Sequence, residues 1–202
     1  MRAPALGGTL FTGLVQAVGS LVTRDGGRFE FRWPGMSNFV MGESIAVSGC
    51  CLTVVGSEGE LFYADVVEET LSKTHLGRLA VGASVNLERP MAAGDVFGGH
   101  MVLGHVDGTG RVESPAPRLR ISYPADFDGY VVDKGSVAIE GVSLTVADRG
   151  PGWVEVAIIP HTAEVTTLGG KRPGDEVNLE FDVIAKYVAR MIEARLGEPG
   201  GK

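Results

Sequence analysis

Short apolar runs alternate with glycine-bearing turns along almost the whole chain, and each run has about the length of one β-strand. Val, Ile, Thr and Phe dominate these runs, and such residues favour strands over helices. Short, closely spaced strands joined by turns are typical of a small antiparallel barrel. The pattern therefore predicts an all-β fold.

Two short segments break this pattern and are predicted to be helical. They lie around Thr70–Leu76 and Thr162–Leu168. Thr70 and Thr162 are the expected N-caps, because a threonine hydroxyl can accept from a free amide of the first turn. Gly77 and Gly169 are the expected C-terminal stops.

The last part of the chain, residues 183–197, changes to a helical period. Apolar positions recur at i, i+4, i+7 and i+8, and the stripe ends with Arg195 at i+11; its members are Ile184, Val188, Met191, Ile192 and Arg195. This spacing predicts an amphipathic helix. Its stripe either packs against another subunit or folds back on its own barrel, and the sequence leaves both alternatives open.

The chain carries an internal repeat. SIAVSGCCLTV (44–54) returns as SVAIEGVSLTV (136–146), an offset of 92 residues (136 − 44). VNLE (85–88) returns at 177–180, EETLSKTHLG (68–77) maps onto PHTAEVTTLG (160–169), and FTGLVQAVG (11–19) meets VLGHVDGTG (102–110) at an offset of 91 (102 − 11). Four blocks in the same order predict two homologous barrels, at 10–98 and 99–182, joined near 95–99.

The repeat also bears on the N-terminal apolar run. Residues 10–18 follow Arg2 and have some features of a secretory signal. Because residues 11–19 correspond to a segment in the middle of the chain, they are instead predicted to form a first strand.

Composition narrows the classes of partner. The 202 residues carry a net charge of −7 and contain no cluster of Lys and Arg. Nucleic acids and anionic membranes attract basic surfaces, so neither is an expected partner. Cys50 and Cys51 are neighbours on a strand and point to opposite faces, which argues against a disulfide and favours a reducing cytoplasm. No apolar run is long enough to span a membrane as a helix.

Two histidines, His100 and His105, lie between glycines in GGHMVLGHVDGTG (98–110). On a strand, residues an odd number of positions apart face opposite sides, so this pair is not expected to bind one metal ion. His75 and His161 lie in different repeats, and the chain has no CxxC or HxxxH spacing. We therefore expect no metal site.

Polar differences between matched positions of the two halves indicate where chemistry has been added. Leu14 is matched by His105, Cys51 by Ser143, Ser48 by Glu140, Gly42 by Lys134, and Glu69 by His161. The triplets Cys51-Leu52-Thr53 and Ser143-Leu144-Thr145 alternate polar and apolar side chains, so both polar groups of each triplet should face one way. A wall of this kind suits a flat polar heterocycle.

The successive blocks resemble those of riboflavin synthase of the alpha-chain type, which is built from two lumazine-binding repeats. The resemblance rests on FTGLVQAVG, SIAVSGCCLTV, ETLSKTHLG, VNLERPM, GGHMVLGHVDGTG, KGSVAIEGVSLTV, IPHTAEVTTLG and GDEVNLEFDVIAKYV. It covers the chain from Phe11 to about Leu196. It implies two six-stranded antiparallel Greek-key barrels and a C-terminal helix that mediates a homotrimer. It leaves open an association with lumazine synthase.

The resemblance further implies a dismutation without metal or cofactor, the last step of riboflavin biosynthesis. One 6,7-dimethyl-8-ribityllumazine donates four carbons to a second, which gives riboflavin and 5-amino-6-ribitylaminouracil. The active site would lie between an N-terminal barrel and the C-terminal barrel of a neighbouring subunit.

The family's binding positions carry over to matching blocks of this chain. For the N-terminal pocket they are Phe11, Thr12, Gly13, Leu14, Val15, Ser44, Cys51, Leu52, Thr53, Asp65, Val66, Val67, Glu68, Glu69 and Thr70. For the C-terminal pocket they are Gly104, His105, Val106, Lys134, Ser143, Leu144, Thr145, Ala157, Ile158, Ile159, Pro160, His161 and Thr162.

Four residues are candidates for the chemistry. His105 is the candidate acid-base group, because histidine titrates near neutrality. Cys51 and Ser143 are candidates to add to a ring carbon, to polarise it or to bind an activated water, and the sequence does not choose among these roles. Lys134 is a candidate to bind ring oxygens or the ribityl chain and to offset negative charge.

The chain departs from the family at its beginning. The family begins Met-Phe-Thr-Gly, whereas here Leu10 precedes Phe-Thr-Gly and nine further residues precede Leu10. We expect Leu10 to be the natural start, which the intact mass of the protein made from its own gene would test.

Two other classes of function compete with the enzyme. A lumazine or flavin carrier on the same fold, like the antenna proteins of bioluminescence, would tend to lose the polar groups of one site, whereas this chain keeps Cys51, His105, Lys134 and Ser143. A purely structural barrel protein leaves the differences between the halves unexplained.

Overall fold

The computed structural model describes residues 10–196. The expectation that the natural chain starts at Leu10 concerns residues 1–9, which lie outside the described residues.

The first half of the chain forms a closed antiparallel barrel of six strands. They are β1 (Ala17–Asp25), β2 (Arg28–Arg32), β3 (Ser44–Val47), β4 (Cys50–Glu58), β5 (Leu61–Asp65) and β6 (Ser84–Glu88), and they close in the order β1-β2-β5-β4-β3-β6. The alternating pattern of the sequence explains the strands, since successive side chains point alternately inwards and outwards.

The second half repeats this arrangement. Its strands are β7 (Gly108–Ser114), β8 (Arg118–Ser122), β9 (Ser136–Ile139), β10 (Val142–Gly150), β11 (Trp153–Ala157) and β12 (Glu176–Phe181). They close in the equivalent cyclic order, β7-β8-β11-β10-β9-β12. The prediction of two like antiparallel barrels is confirmed.

Apolar side chains fill both barrels. In the first, the rings of Phe31 and Phe62 stack with centroids 5.3 Å apart, and Phe29 lies beside them. In the second, Phe181 packs against Tyr123 and Phe127. Because the interiors are occupied, a ligand of either barrel has to bind on an outer wall.

The segments that precede β1 and β7 join the two barrels. Phe11 and Val102 form a β-bridge with hydrogen bonds in both directions, at 2.8 and 3.2 Å between N and O. Together with Ala46 and Ala138 they form a small buried cluster separate from the two barrel cores. Phe11–Gly19 is therefore only partly a strand, since β1 begins at Ala17, and the prediction of a continuous first strand is wrong.

The prediction that His100 and His105 lie on one strand is also wrong. β7 begins at Gly108, so His100 and His105 do not lie on a strand, and strand alternation does not set their directions.

A buried polar network joins the tips of the β3–β4 and β9–β10 hairpins. The side-chain amide of Asn86 donates to the Glu140 carbonyl at 2.9 Å, and that of Asn178 donates to the Ser48 carbonyl at 2.9 Å. Gly49 and Gly141 let the two backbones approach, because a Cβ on either would lie 2.7 Å from the amide nitrogen of the other. The network therefore follows the twofold symmetry of the repeat.

One difference between the halves breaks the symmetry of this network. The Glu140 carboxylate lies 2.6 Å from His75 Nε2 and 3.3 Å from Lys171 Nζ. It also accepts a hydrogen bond from the backbone amide of Asn178 at 2.7 Å. Burial acts to raise the pKa of Glu140, but His75, Lys171 and the Asn178 amide outweigh it and lower the pKa. The suggestion that Glu140 belongs to a chemical site with His105 and Lys134 is wrong, because it is fully buried between the barrels.

The two short helices start earlier than predicted. They are α1 (Glu68–Lys73) and α2 (Pro160–Val165), preceded by Val67 and Ile159 without any side-chain cap. Thr70 and Thr162 therefore lie inside the helices, and the prediction that they are N-caps is wrong.

The ends of these helices also differ from the prediction. Thr74 and Thr166 end them, each hydroxyl donating 2.7 Å to the carbonyl four residues earlier, and short 3₁₀ turns follow at Leu76–Arg78 and Thr167–Gly170. Gly77 and Gly169 lie in those turns and do not terminate the helices. The threonine hydroxyl competes for a helical carbonyl and ends each helix before the glycine is reached.

The C-terminal helix α3 (Val183–Leu196) confirms the change of period. Lys186, on its inner side, pairs with Asp107 at 2.6 Å. Its apolar stripe is uncovered, with Ile184 56% and Met191 70% exposed. Within this chain the stripe is thus not folded back on a barrel. No helix among residues 10–196 is long and apolar enough to cross a membrane.

Candidate functional site

The segments before β1 and β7 cross over to the opposite barrels. The Ser143 amide, on β10, donates 2.8 Å to the Gly13 carbonyl, and the Cys51 amide, on β4, donates 2.9 Å to the Gly104 carbonyl. Val15 packs against the core of the second barrel and Val106 against that of the first. Each barrel therefore has an outer wall completed by a segment from the other half.

This crossing corrects the predicted grouping of pocket residues. Gly104, His105 and Val106 do not join Ser143 but line a cavity with Cys51, in the first half. Gly13 lies against Ser143, in the second half. We call the surface around Cys51 and His105 the N-terminal wall, and the surface around Ser143 and Gly13–Val15 the C-terminal wall.

Two buried glutamates hold the crossing segments. Glu88, at the end of β6, accepts from the amides of Thr12 and Gly13 at 2.7 and 3.1 Å. Glu180, at the matched position of β12, accepts from those of Leu103 and Gly104 at 2.7 and 2.9 Å. Burial raises the pKa of both carboxyls, although the backbone amides oppose that shift. The VNLE motif thus exists twice because each copy ends in an anchor for the facing segment.

The N-terminal wall contains a cavity of about 190 Å³. It is lined by Cys50, Cys51, Glu69, Thr70, Lys73, Thr74, Gly104, His105 and Val106. Burial raises the pKa of the Cys50 thiol to about 12, with a smaller contribution from Cys51. Since the thiolate is the nucleophile, Cys50 is unsuited to that role, and Cys51 is the thiol that is half exposed at the cavity.

The C-terminal wall also contains a histidine, but it is His100. Its Nδ1 lies 2.6 Å from Ser143 Oγ, and the ring is 9% exposed. Burial lowers the pKa of His100, opposed by a smaller effect of Asp182, so this environment favours the neutral ring. The GGHMVLGHVDGTG stretch therefore places one histidine at each wall.

Lys134 has an unusual backbone conformation. Its φ is +63°, a left-handed value that the matched residue Gly42 adopts with φ +85°. In both halves the amide of this residue donates to β4 or β10, at the carbonyls of Val54 and Val146. Side chains other than glycine are strained in this region, and such strain is concentrated at functional sites. The exposed Lys134 therefore adopts this conformation at an energetic cost.

The remaining predicted binding residues fall into a buried group and an exposed or half-buried group. The triplets behave as predicted, with Leu52 and Leu144 in the cores and Cys51, Thr53, Ser143 and Thr145 on the outer surfaces. Val66 and Ile158 are also buried, so their side chains do not face a ligand. Phe11 and Thr12 are buried at the crossing, and Asp65 pairs with Arg28 at 2.7 Å. The other positions are half-buried or exposed; they are Leu14, Ser44, Val67, Glu68, Glu69, Ala157, Ile159, Pro160 and His161.

Sequence reasoning missed three groups at the walls. Lys73 lines the cavity, His100 contacts Ser143, and the Glu88–Glu180 pair anchors the segments. A comparison of α1 with α2 would have revealed Lys73, since its match at the 92-residue offset is Val165 (165 − 73). Among residues 10–196 no group of three or more His, Cys, Asp or Glu side chains is arranged to hold a metal ion.

Comparisons with known proteins agree with this duplicated architecture. The family model described as the lumazine binding domain matches twice, at residues 12–90 and 103–182. Riboflavin synthase of Mycobacterium tuberculosis is 45% identical over 200 residues, covering 92% of this chain and 99% of that protein. Riboflavin synthase of Actinobacillus pleuropneumoniae is 40% identical, covering 91% and 90%.

A solved structure, that of LumP complexed with riboflavin, is similar with a TM-score of 0.76 at 25% identity. The match covers 85% of this chain and 98% of the LumP chain. The chain has two lumazine-binding repeats and is 40–45% identical to these riboflavin synthases over most of its length. It therefore belongs to the riboflavin synthase family of lumazine-binding proteins.

Proposed function

We propose that this protein is a transferase that dismutates two molecules of 6,7-dimethyl-8-ribityllumazine. Four carbons pass from one to the other, and the products are riboflavin and 5-amino-6-ribitylaminouracil. The reaction consumes no oxidant or reductant, because the carbons lost by one lumazine are those gained by its partner.

The observation that carries this proposal is the pairing of walls by the crossing segments. One chain presents two outer walls of the same design, each with a small polar residue at the same strand position and a histidine from one shared segment. Cys51 and His105 stand at one wall, and Ser143 and His100 at the other. A reaction between two identical substrates requires two similar sites with different chemical groups, and this is what the duplicated wall offers.

The side chains support specific roles. His105 is exposed beside the cavity and is placed to move a proton to or from the bound ring. Cys51 is placed to polarise or add to a ring carbon at the same wall, and Ser143 to hydrogen-bond the ring at the other. Lys134 offers a cation for ring oxygens or for the ribityl chain.

The walls also support a site shared between subunits. The cavity of about 190 Å³ is smaller than the roughly 300 Å³ at the lower end of small-molecule sites. A second surface therefore has to cover the ligand. We infer that the N-terminal wall of one subunit faces the C-terminal wall of its neighbour in a trimer held by α3. Cys50 and Cys51 are reduced thiols, which agrees with a reducing compartment such as the cytoplasm.

The test is turnover without any addition. The purified protein is incubated with 6,7-dimethyl-8-ribityllumazine alone, and riboflavin absorbance and the pyrimidine product are followed together. We expect equal amounts of both products, and a loss of about 100-fold or more in kcat for His105→Ala, the usual scale of acid-base catalysis. Unequal products would contradict a dismutation.

A ligand carrier is the second candidate, and the likeness to LumP complexed with riboflavin favours it. Carrier function predicts tight binding of lumazine and riboflavin with no change in either. In that outcome His105→Ala and Ser143→Ala would alter affinity only, as measured by fluorescence titration of the bound ligand.

A further inference from the structure

Lys73 distinguishes the N-terminal wall from its counterpart. It lies in the last turn of α1 and lines the cavity beside Cys51 and His105. The matched residue on α2 is the exposed Val165, so this helix position carries a cation at the N-terminal wall only. The two walls therefore exert different fields on otherwise similar ligands.

No partner in the described chain neutralises Lys73. Among residues 10–196 its ammonium group takes part in no ion pair or side-chain hydrogen bond. Glu69, four residues earlier, also lines the cavity. Glutamate and lysine at this spacing on a helix commonly pair, yet here both side chains border the empty space without forming an ion pair. The cation is thus available to a ligand.

The groups around Lys73 set the local balance of charge. Glu69 is the nearest carboxylate of its own helix, and His105 with the thiols of Cys50 and Cys51 faces it from the crossing segment and β4. Cys50 stays neutral because burial raises its pKa to about 12. A ligand ring in the cavity therefore meets one cation, one carboxylate and an ionisable imidazole.

We propose that Lys73 stabilises negative charge on the ring bound at the N-terminal wall, so that this wall holds the lumazine that gives up its methyl proton. This inference rests on the proposed function. The C–H bond of the 7-methyl group breaks, the proton passes to a base such as His105, and the electron pair stays on the ring. A nearby cation favours the deprotonated ring by Coulomb attraction, and this attraction strengthens when the facing wall of the neighbouring subunit covers the ligand. At the other wall the matched helix position is the uncharged Val165, and the cation proposed there, Lys134, lies in the loop before β9.

The experiment compares kcat and KM of four full-length proteins between pH 6 and 9. They are the wild type, Lys73→Met, which removes the charge but keeps the length, Lys73→Arg, which keeps the charge, and Arg111→Met. Arg111 is an exposed cation on β7 and controls for the general loss of positive charge. Melting temperatures of all four verify folding.

We expect Lys73→Met to lose about tenfold in kcat at pH 7, which corresponds to a pKa change of one unit in the bound ring. Its rate should recover towards the wild type as pH rises, since removing a cation raises the pKa of the ring. Lys73→Arg should restore most of the rate, and Arg111→Met should match the wild type. An unchanged profile for Lys73→Met, or an equal loss at every pH that arginine does not restore, overturns the proposal.

A wild type without turnover would reject the proposed function and not the role of Lys73. The lumazine then persists in the complex, and its deprotonation can be titrated directly by absorbance. A higher ring pKa in Lys73→Met than in the wild type supports the inference, and equal values refute it.

Discussion

At the scale of single residues, some side chains stabilise the fold and others are proposed to bind a ligand at the walls. Lys134 is proposed to bind a ligand although its backbone conformation is unfavourable. It adopts a φ of +63° where the first half has glycine. Left-handed backbone is costly for a residue with a side chain. At this position the lysine backbone is therefore less stable than a glycine backbone would be.

We expect Lys134→Gly to raise the free energy of unfolding by about 1 kcal/mol while it lowers turnover. Lys134→Ala is the matched control, because it removes the ammonium group but keeps the backbone strain. Urea unfolding and steady-state rates of both variants measure the two effects. A glycine variant no more stable than the alanine variant would contradict this interpretation.

Glu140, in contrast, contributes to the stability of the fold. Burial acts to raise its pKa, yet His75, Lys171 and the Asn178 amide lower it. A carboxyl whose pKa is lowered on folding stabilises the protein at pH values above the unfolded pKa of about 4.3, and this contribution is lost as pH falls through the folded pKa.

Glu140→Gln should therefore cost about 3 kcal/mol of folding stability at neutral pH, because it removes the buried carboxylate that the His75 ring, the Lys171 ammonium group and the Asn178 backbone amide contact. The difference from the wild type should shrink as the pH falls below about 4. Thermal unfolding at a series of pH values measures it, and a difference that stays constant would count against the buried ion pair.

At the scale of elements, the crossing segments depend on close backbone approach. A Cβ at Gly104 would lie 2.5 Å from Cys51 Cβ and 2.8 Å from the Cys51 amide nitrogen, and one at Gly13 would meet Ser143 in the same way. Both glycines also have φ near +75°. These positions therefore hold each segment against the opposite barrel.

Gly104→Ala should cost about 3 kcal/mol, from strain together with a steric clash that backbone atoms cannot relieve. Gly26→Ala is the matched control, since Gly26 has φ +56° but nothing within 4 Å of the added carbon, and it should cost about 1 kcal/mol. Denaturant unfolding of both variants compares them. Equal losses would mean that the close approach at Cys51 has no energetic weight.

The elements also show what the sequence could and could not predict. Alternation and the repeat predicted the two barrels and the outward polar groups of the triplets. Alternation and the repeat could not predict the crossing, because the two repeats are similar. A segment with the same sequence pattern could pair with its own barrel or with the other. The helix starts were missed because Val67 and Ile159 precede the helices without a polar cap, so that Thr70 and Thr162 were the nearest cap-forming residues.

At the scale of the whole molecule, α3 exposes an apolar stripe that its own chain leaves uncovered. Tyr187 and Met191 are each 70% exposed, and Ile192 is 54% exposed. Contiguous apolar surface of this kind marks interaction sites. The stripe is thus the part of the chain best suited to hold the proposed trimer together.

Met191→Glu should dissociate the trimer and reduce kcat/KM at low protein concentration, since the shared site would be lost. Glu193→Gln, on the same helix but outside the stripe, serves as the control. Analytical ultracentrifugation gives the mass, and a Met191→Glu protein that remains at the wild-type mass would argue against α3 as the interface.

The crossing of the two segments also governs how such a chain can be recombined. A gene fragment that encodes one repeat carries the strands of one barrel but a piece of wall that belongs to the other. A chimera made by exchanging whole repeats would therefore mix the parentage of both binding surfaces. To transplant one intact wall, the exchanged DNA has to combine β3–β4 and α1 of one repeat with residues 98–107 of the other. The residues of one binding surface are therefore encoded by two separate parts of the gene.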